Sequence, residues 1–316
     1  MTRSPAQTTR LLTFGALLVL IATYFAPIWW VSLTAPNYPP EAFPDGIRIH
    51  FHFNGVFNGC KGAAIKKDEI FQGDLGDSRE TEMRGETQKQ QLDCVHEMNT
   101  INHYVGMYPI DAGAPVERGL SRYFFGFFAA MLVAFAFPAR KTQVVVLAAG
   151  FAAVAAWMGG EMLAAGRMDA LLDHYRTAAG AYFNEPATIA RWTDNLELAL
   201  KATMAGLVAA MLIVLVGVWV SRPFSLLLAL VPALLPIFFV IDYAGWLWFF
   251  GHNLHPWGAF TVKPFMPTVF GEGKVAQFST YSYPYIGYGL LLLASGLLAP
   301  AILLRRKAMR EGTDAG

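Results

Sequence analysis

Charge is scarce in this chain. Asp, Glu, Lys and Arg make up 15% of its 316 residues, where an ordinary soluble domain carries about 25%. Together with 55% hydrophobic residues and a mean hydropathy of +0.38, this predicts an α-helical integral membrane protein rather than soluble domains. A formal net charge of +1, with no basic stripe, zinc-finger spacing or dinucleotide loop, argues against nucleic acid as a partner. The phosphate-binding G-x-x-x-x-G-K-[ST], the hydrolase G-x-S-x-G and the zincin H-E-x-x-H are all missing. His96-Glu97 stands without the second histidine that the last of these needs.

Six apolar runs approach or reach the roughly 20 residues that cross a bilayer as helix. They are Leu11 to Leu33, Tyr123 to Pro138, Val144 to Ala165, Ala202 to Val220, Leu226 to Phe250 and Ile286 to Leu304. The second is short unless it starts near Leu120, with Arg122 snorkelling at the interface. The first is too long for a cleaved signal peptide and lacks a small-residue cleavage site, so it reads as an anchor. Nine basic residues (Arg3, Arg10, Arg140, Lys141, Arg222, Arg305, Arg306, Lys307 and Arg310) fall on one side of a six-helix bundle. Basic flanks stay in the cytoplasm, so both termini and the tail 305–316 are expected there, in a bacterial inner membrane. The segments 34–119, 166–201 and 251–285 then face the periplasm. Trp29, Trp30, Trp246, Trp248 and Trp257 would mark the outer interface.

Within the first outer segment, Gly46 to Asn54 alternates strictly. Ile47, Ile49, Phe51 and Phe53 fall on one face, and Arg48, His50 and His52 on the other, which predicts a half-buried strand in a small β-containing periplasmic domain. Pro36, Pro39, Pro40 and Pro44 predict a stiff, extended approach to it. From Lys61 to Leu92 the chain carries six basic and seven acidic residues, too polar to fold alone and so expected to be an insertion. Cys60 and Cys94, the two cysteines of the chain, bracket it. On an oxidising face they read as a disulfide pinning the base of the insertion, with a thiolate metal site as the alternative. Their spacing is unlike a C-x-x-C exchange pair.

All seven histidines fall in outer segments, which excludes a bis-histidine haem buried among the spans. His50 and His52 project alike from one strand, so both imidazoles could reach one metal. His96 lies next, in Asp93 to Met98, followed by Asn102, His103, Tyr104 and Met107. His103 and Met107 share a face if that stretch is helical. His252 and His255 precede Met266. Imidazole with thioether is a soft ligand set that favours copper, Cu(I) above all. Taken singly, each of these residues also suits a helix cap or a bond to a loop carbonyl. Asn102, Asn253 or Tyr104 would orient metal-bound imidazoles. The two elements, Asn102 to Met107 and His252 to Met266, are expected to converge.

Few charges approach the membrane. Asp242 is the most embedded, and an intramembrane carboxylate reads as functional by default, with Arg122 or Lys201 as a structural partner. Gly150, Gly159, Gly160 and Gly166 suit close helix packing. Pro232 and Pro236 could break the fifth span, as in transporters, although no inverted repeat is visible.

Three stretches carry a resemblance: Trp30 to Pro39, Asn99 to Met107 with its N-x-x-N-H-Y-x-G-M pattern, and Gly251-His252-Asn253-Leu254 with Pro256, Pro264, Met266 and Pro267. Together they resemble a family of bacterial membrane proteins associated with copper-handling accessory genes of nitrous-oxide reductase clusters. The resemblance implies metal ligation by His103, Met107, His252 and Met266. It departs from the family's pattern at His255, where that pattern has an acidic residue, and in the Cys60 to Cys94 insertion. The expected function is an accessory protein, not itself a catalyst, that binds copper on its periplasmic face and serves a periplasmic copper protein through assembly or electron supply. Two other classes remain open. One is a structural or quinol-interacting subunit of a respiratory or monooxygenase membrane complex, with Asp242 and Trp246 to Phe250 lining a pocket. The other is a small-molecule transporter.

Overall fold

The computed structural model describes residues 4–61, 92–256, 258–259, 261–275 and 277–311. Arg3, Trp257 and positions 62–91 of the charged insertion lie outside the described residues. The elements run α1 (Pro5–Phe25), β1 (Trp29–Thr34), β2 (Ile47–His52), β3 (Gly55–Asn58), α2 (Cys94–Tyr104), α3 (Pro115–Phe135), α4 (Arg140–Gly159), α5 (Arg167–Gly180), α6 (Pro186–Val220), α7 (Leu227–Ala233), α8 (Leu235–His252), β4 (Gly271–Val275), β5 (Phe278–Pro284) and α9 (Ile286–Arg310).

Five helices are long and apolar enough to cross a membrane: α1, α4 with its π-helical extension to Ala164, α6, α8 and α9. Their exposed faces carry large apolar side chains such as Leu18, Leu212, Trp219, Ile241 and Leu303. Such a surface is at home against lipid rather than water. Glu117, Arg118 and Arg122 in its first two turns set α3 apart from that group, although it lies at the centre of the bundle, against α1, α4, α6 and α7.

Helices α1 and α9 pack along most of their length. The buried stripe of α1 is Thr9, Thr13, Ala16, Leu20 and Thr23, and that of α9 is Gly287, Leu291, Ala294, Leu298 and Ala301, both at helical spacing and rich in small side chains. Small residues bring helix backbones close where lipid supplies no hydrophobic drive. The hydroxyls of Thr9, Thr13 and Thr23 are satisfied by carbonyls one turn back, at 2.8–3.0 Å.

The first apolar run is shorter as a helix than its hydropathy implied. α1 ends at Phe25; Pro27 cannot continue it, and the aromatic and β-branched Trp29 to Thr34 become the central strand of a sheet. Trp29 and Trp30 are therefore strand residues, not anchors at the end of a span. The sheet is antiparallel throughout, in the order β3-β2-β1-β5-β4. Its material comes from the first and the last outer segments together, so the β domain is not confined to the region between the first two helices. The expected alternation in β2 holds, with Ile47 and Ile49 buried beneath α2. The proline-rich approach folds as successive turns, closed by Tyr38 N–H to Ala35 carbonyl, Ala42 to Pro39 and Gly46 to Phe43. It is not the extended rod that its composition predicted.

The loop expected over residues 166–201 gives way, whereas the proline break expected in the fifth span is present. Segment 166–201 is a helical hairpin, made by α5 and the first turns of the 35-residue α6. At about 1.5 Å per residue, α6 exceeds the roughly 30 Å hydrocarbon thickness and must project beyond it. The run Leu226 to Phe250 breaks at Leu234, between Pro232 and Pro236, where the Ser295 hydroxyl donates to the Ala233 carbonyl at 2.7 Å. Of the four glycines expected at helix contacts, Gly150 meets Ala130, whereas nothing lies against Gly159, Gly160 or Gly166. The first two lead into the π turn, and Gly166 adopts φ +71° at the start of α5.

At the end away from the sheet, Arg10 donates to the Ala136 carbonyl at 3.1 Å and Arg305 to those of Phe137 and Pro138 at 2.9 Å. Basic residues from both ends of the described chain thus meet at the α3–α4 turn.

Cys60 and Cys94 form a disulfide with Cα atoms 6.0 Å apart. The Asn58 side chain reinforces this closure, donating to the Leu92 carbonyl and accepting from the Cys60 and Cys94 N–H groups. Closing a loop with a sequence separation of 34 stabilises the domain by about 3–4 kcal/mol in the chain-entropy account. Replacing both cysteines by serine is expected to lower the unfolding midpoint of the outer domain, read by thermal denaturation of protein in detergent. An unchanged midpoint would refute the role.

Candidate functional site

The residues nominated for copper are dispersed in their bonding. α2 ends at Tyr104, and Gly106, at φ +79°, turns the chain away. His103 and Met107 therefore do not share a helical face, contrary to the i, i+4 expectation. The His103 ring lies among Tyr104, Tyr182 and Phe183, with Nδ1 buried and without a hydrogen-bond partner. Met107 is buried in an apolar cluster with Val105 and Phe250, edged by Leu254 and Phe265. His252 is the last residue of α8; its Nδ1 lies 2.8 Å from the Trp248 carbonyl and its ring stacks on that indole. Met266 is 44% exposed.

The two loops nevertheless do meet. His255 N–H donates to the Gly106 carbonyl at 2.7 Å, and a side chain at Gly106 would strike the His255 carbonyl. His255 itself, the position departing from the family pattern, holds Glu185 at 2.9 Å and packs on Phe183. His96 Nδ1 lies 3.4 Å from the Tyr182 hydroxyl. Asn102 and Asn253 donate to the carbonyls of Tyr108 and Phe249, so neither is seen orienting an imidazole. In β2, His50 stacks on Tyr285 while His52 meets Phe57. Burial, with Arg48 adding to it at His50, holds both imidazoles below their ordinary pKa, so both are neutral at pH 7. Among the described residues no group of three or more His, Cys, Asp and Glu side chains could hold a metal ion.

The charged residues pair differently from expectation. Arg122 bonds Glu161 at 3.0 Å, and Glu161 also accepts from the Tyr123 hydroxyl at 2.7 Å. Lys201 bonds Glu197 one turn away. Neither cation serves Asp242, which instead lines a cavity together with a second carboxyl residue, Glu117. The indole Nε1 of Trp246 donates to Glu117 Oε2 at 2.9 Å.

Both carboxyls line a cavity of about 290 Å³ between α3 and α8, roofed by the β2–β3 hairpin. Glu117 is half-buried and Asp242 is exposed at the rim. Away from them the lining is almost wholly apolar: Phe124, Phe125 and Phe128 from α3, Leu235, Phe238 and Phe239 from α8, and Phe51 and Phe53 from the sheet. From Glu117 to Phe128 is eleven helical positions, about 16 Å at 1.5 Å per residue. The cavity is thus an elongated, largely apolar slot with the polar side chains of Glu117, Arg118, Ser121 and Asp242 among its walls. Arg118 also donates to the Asp111 carbonyl.

Neither family models, curated proteins nor solved structures match this chain.

Sequence reasoning found Asp242 and Trp246 but missed Glu117, which reads as an ordinary acidic residue in the first turn of a helix. No local signal links positions 125 residues apart. Glu185, the partner of His255, was hidden in the same way.

Proposed function

We propose that this chain spans a bacterial inner membrane six times, with α3 as the sixth span, and binds a quinol-type molecule in the slot between α3 and α8. The reading belongs to the class of quinol-interacting subunits of a larger membrane complex. One observation carries it: the carboxyls of Glu117 and Asp242 line one largely apolar slot, with the Trp246 indole donating to Glu117. Ligand sites combine apolar walls with a few convergent polar groups. A quinol hydroxyl donates to a carboxylate oxygen, and the aromatic walls receive the ring and the start of its tail. Phosphorylated lipids fit less well, because a carboxyl pair repels an anionic head group.

The basic cluster at the α3–α4 turn supports an orientation with the termini in the cytoplasm and the sheet in the periplasm. A phosphatase reporter inserted after Asn253 is expected to be active and one at the C-terminus inactive; the reverse pattern would overturn this topology.

Quinone-analogue binding to protein in detergent, followed by tryptophan fluorescence, tests the site. Glu117→Gln and Asp242→Asn should each weaken binding about tenfold or more, since a hydrogen bond to a charged group contributes about 1.5–3 kcal/mol. Affinity unchanged in both variants would sink the proposal.

A second reading keeps the copper-accessory role serving a periplasmic copper protein, supported by the buried, unpartnered Nδ1 of His103 beside the loop that carries His255. Protein loaded with Cu(I) under reducing conditions should then hold about one copper per chain, lost in His103→Ala. Equal copper content in the two would end this reading.

A further inference from the structure

The face of the sheet turned away from the helices carries a second site, independent of the slot. Antiparallel register places Arg48 opposite Ser32, Ser32 opposite Tyr281, and Tyr281 opposite Glu272, with Lys274 two positions further along β4. Residues paired in this way share a face, so Arg48 and Lys274 stand on one surface with three strand intervals between them. The turns of residues 35–46 rise beside that surface and enclose a cleft of about 700 Å³.

Its electrostatics are unbalanced. Asp45 is matched by Lys61 at 3.3 Å. Among the described residues, no ion pair includes Arg48 or Lys274. Glu272 shares the face but does not line the cleft. The Arg48 guanidinium lies 4.1 Å above the Trp30 ring and 5.7 Å from that of Tyr285, and its Nε is buried without a hydrogen-bond partner. Stacking of this kind fixes the planar fork while leaving its charge uncompensated, which suits recognition of a carboxylate.

Strands lie about 4.8 Å apart, so the two cations are separated by about 15 Å. A single small anion cannot span that distance. An extended peptide rises about 3.4 Å per residue, and acidic side chains four positions apart match it. Trp30, the largest ring of the cleft, is already engaged by Arg48 and by Tyr283 at 5.3 Å. It is therefore not open as a platform for a sugar ring.

We infer that this cleft docks an acidic, extended segment of a partner protein, bridging Arg48 and Lys274.

Isothermal titration calorimetry on the full chain in phosphatidylcholine nanodiscs tests it, with a capped pentapeptide carrying glutamate at its first and fifth positions. The peptide should bind, its affinity falling severalfold between 50 and 300 mM salt as exposed charges are screened. Lys274→Glu, at an exposed position that leaves the sheet intact, and Arg48→Gln should each weaken it at least tenfold. The lysine counterpart should not bind. Absence of binding, equal binding of the lysine peptide, or an unaffected Lys274→Glu variant would each overturn the proposal. Tighter binding of an oligogalacturonate than of the peptide would overturn it in favour of an acidic saccharide.

Discussion

The pairing of α1–β1 with β5–α9 is the constraint on which the rest of the molecule depends. Two stretches 253 residues apart at Trp29 and Ser282 run side by side, first as packed helices and then as adjacent strands. At the joint, Gly287 N–H donates to the Pro27 carbonyl and Tyr285 N–H to that of Ile28, each within 2.8 Å, while Ile28 N–H reaches Phe51 in β2. A side chain at Gly287 would sit 2.8 Å from the Pro27 carbonyl, so the close passage needs glycine. The backbone groups released where a helix gives way to a strand are thereby satisfied, as they must be at the edge of a bilayer.

That joint aims Trp29 into the bundle. Its ring meets Phe239, Tyr243 and Tyr288 with centroids 5.5–5.9 Å apart, and its indole N–H donates to Ser282 at 2.9 Å. Aromatic pairs contribute about 0.5–1.5 kcal/mol each beyond their buried area, so this cluster holds α8 firmly to the sheet. α8 reaches α3 by another route, through the Trp246–Glu117 hydrogen bond and the phenylalanines that line the space between them. A helix anchored above and beside, but not packed directly on its neighbour, leaves a slot; two carboxyls and a ring of aromatic side chains then line it.

Much of this was legible in the sequence, and the boundary is physical. Long apolar runs and the alternation of Ile47 to Phe53 each report a local solvent preference, and both reappear in the fold as apolar helices and a half-buried strand. The Cys60–Cys94 bond was legible because two cysteines admit one pairing. Trp29 to Thr34 misled because a buried strand is as apolar as the end of a span, so hydropathy cannot separate them. The proline-rich turns misled because composition fixes φ at proline and leaves the residues between free to close hydrogen bonds. The copper residues illustrate a third limit: Asn102 to Met107 and His252 to Met266 do come together, but through the Gly106–His255 backbone contact and the packing of Met107. Proximity of two loops, legible in outline, does not dictate which atoms face each other.

The order of the strands also sets an order in time. While the chain is being made, β1 can pair with β2 and β2 with β3 at once, but the other edge of β1 must wait for β5, which emerges only after the intervening helices. An open edge at the centre of a future sheet is prone to pair with other chains. Insertion of α9 ends that interval, since it brings β5 alongside β1 as it packs on α1. Maturation of the sheet is therefore coupled to insertion of the helix on which β5 is borne, and a chain stalled before α9 would present half a sheet and a slot without its tether to β5.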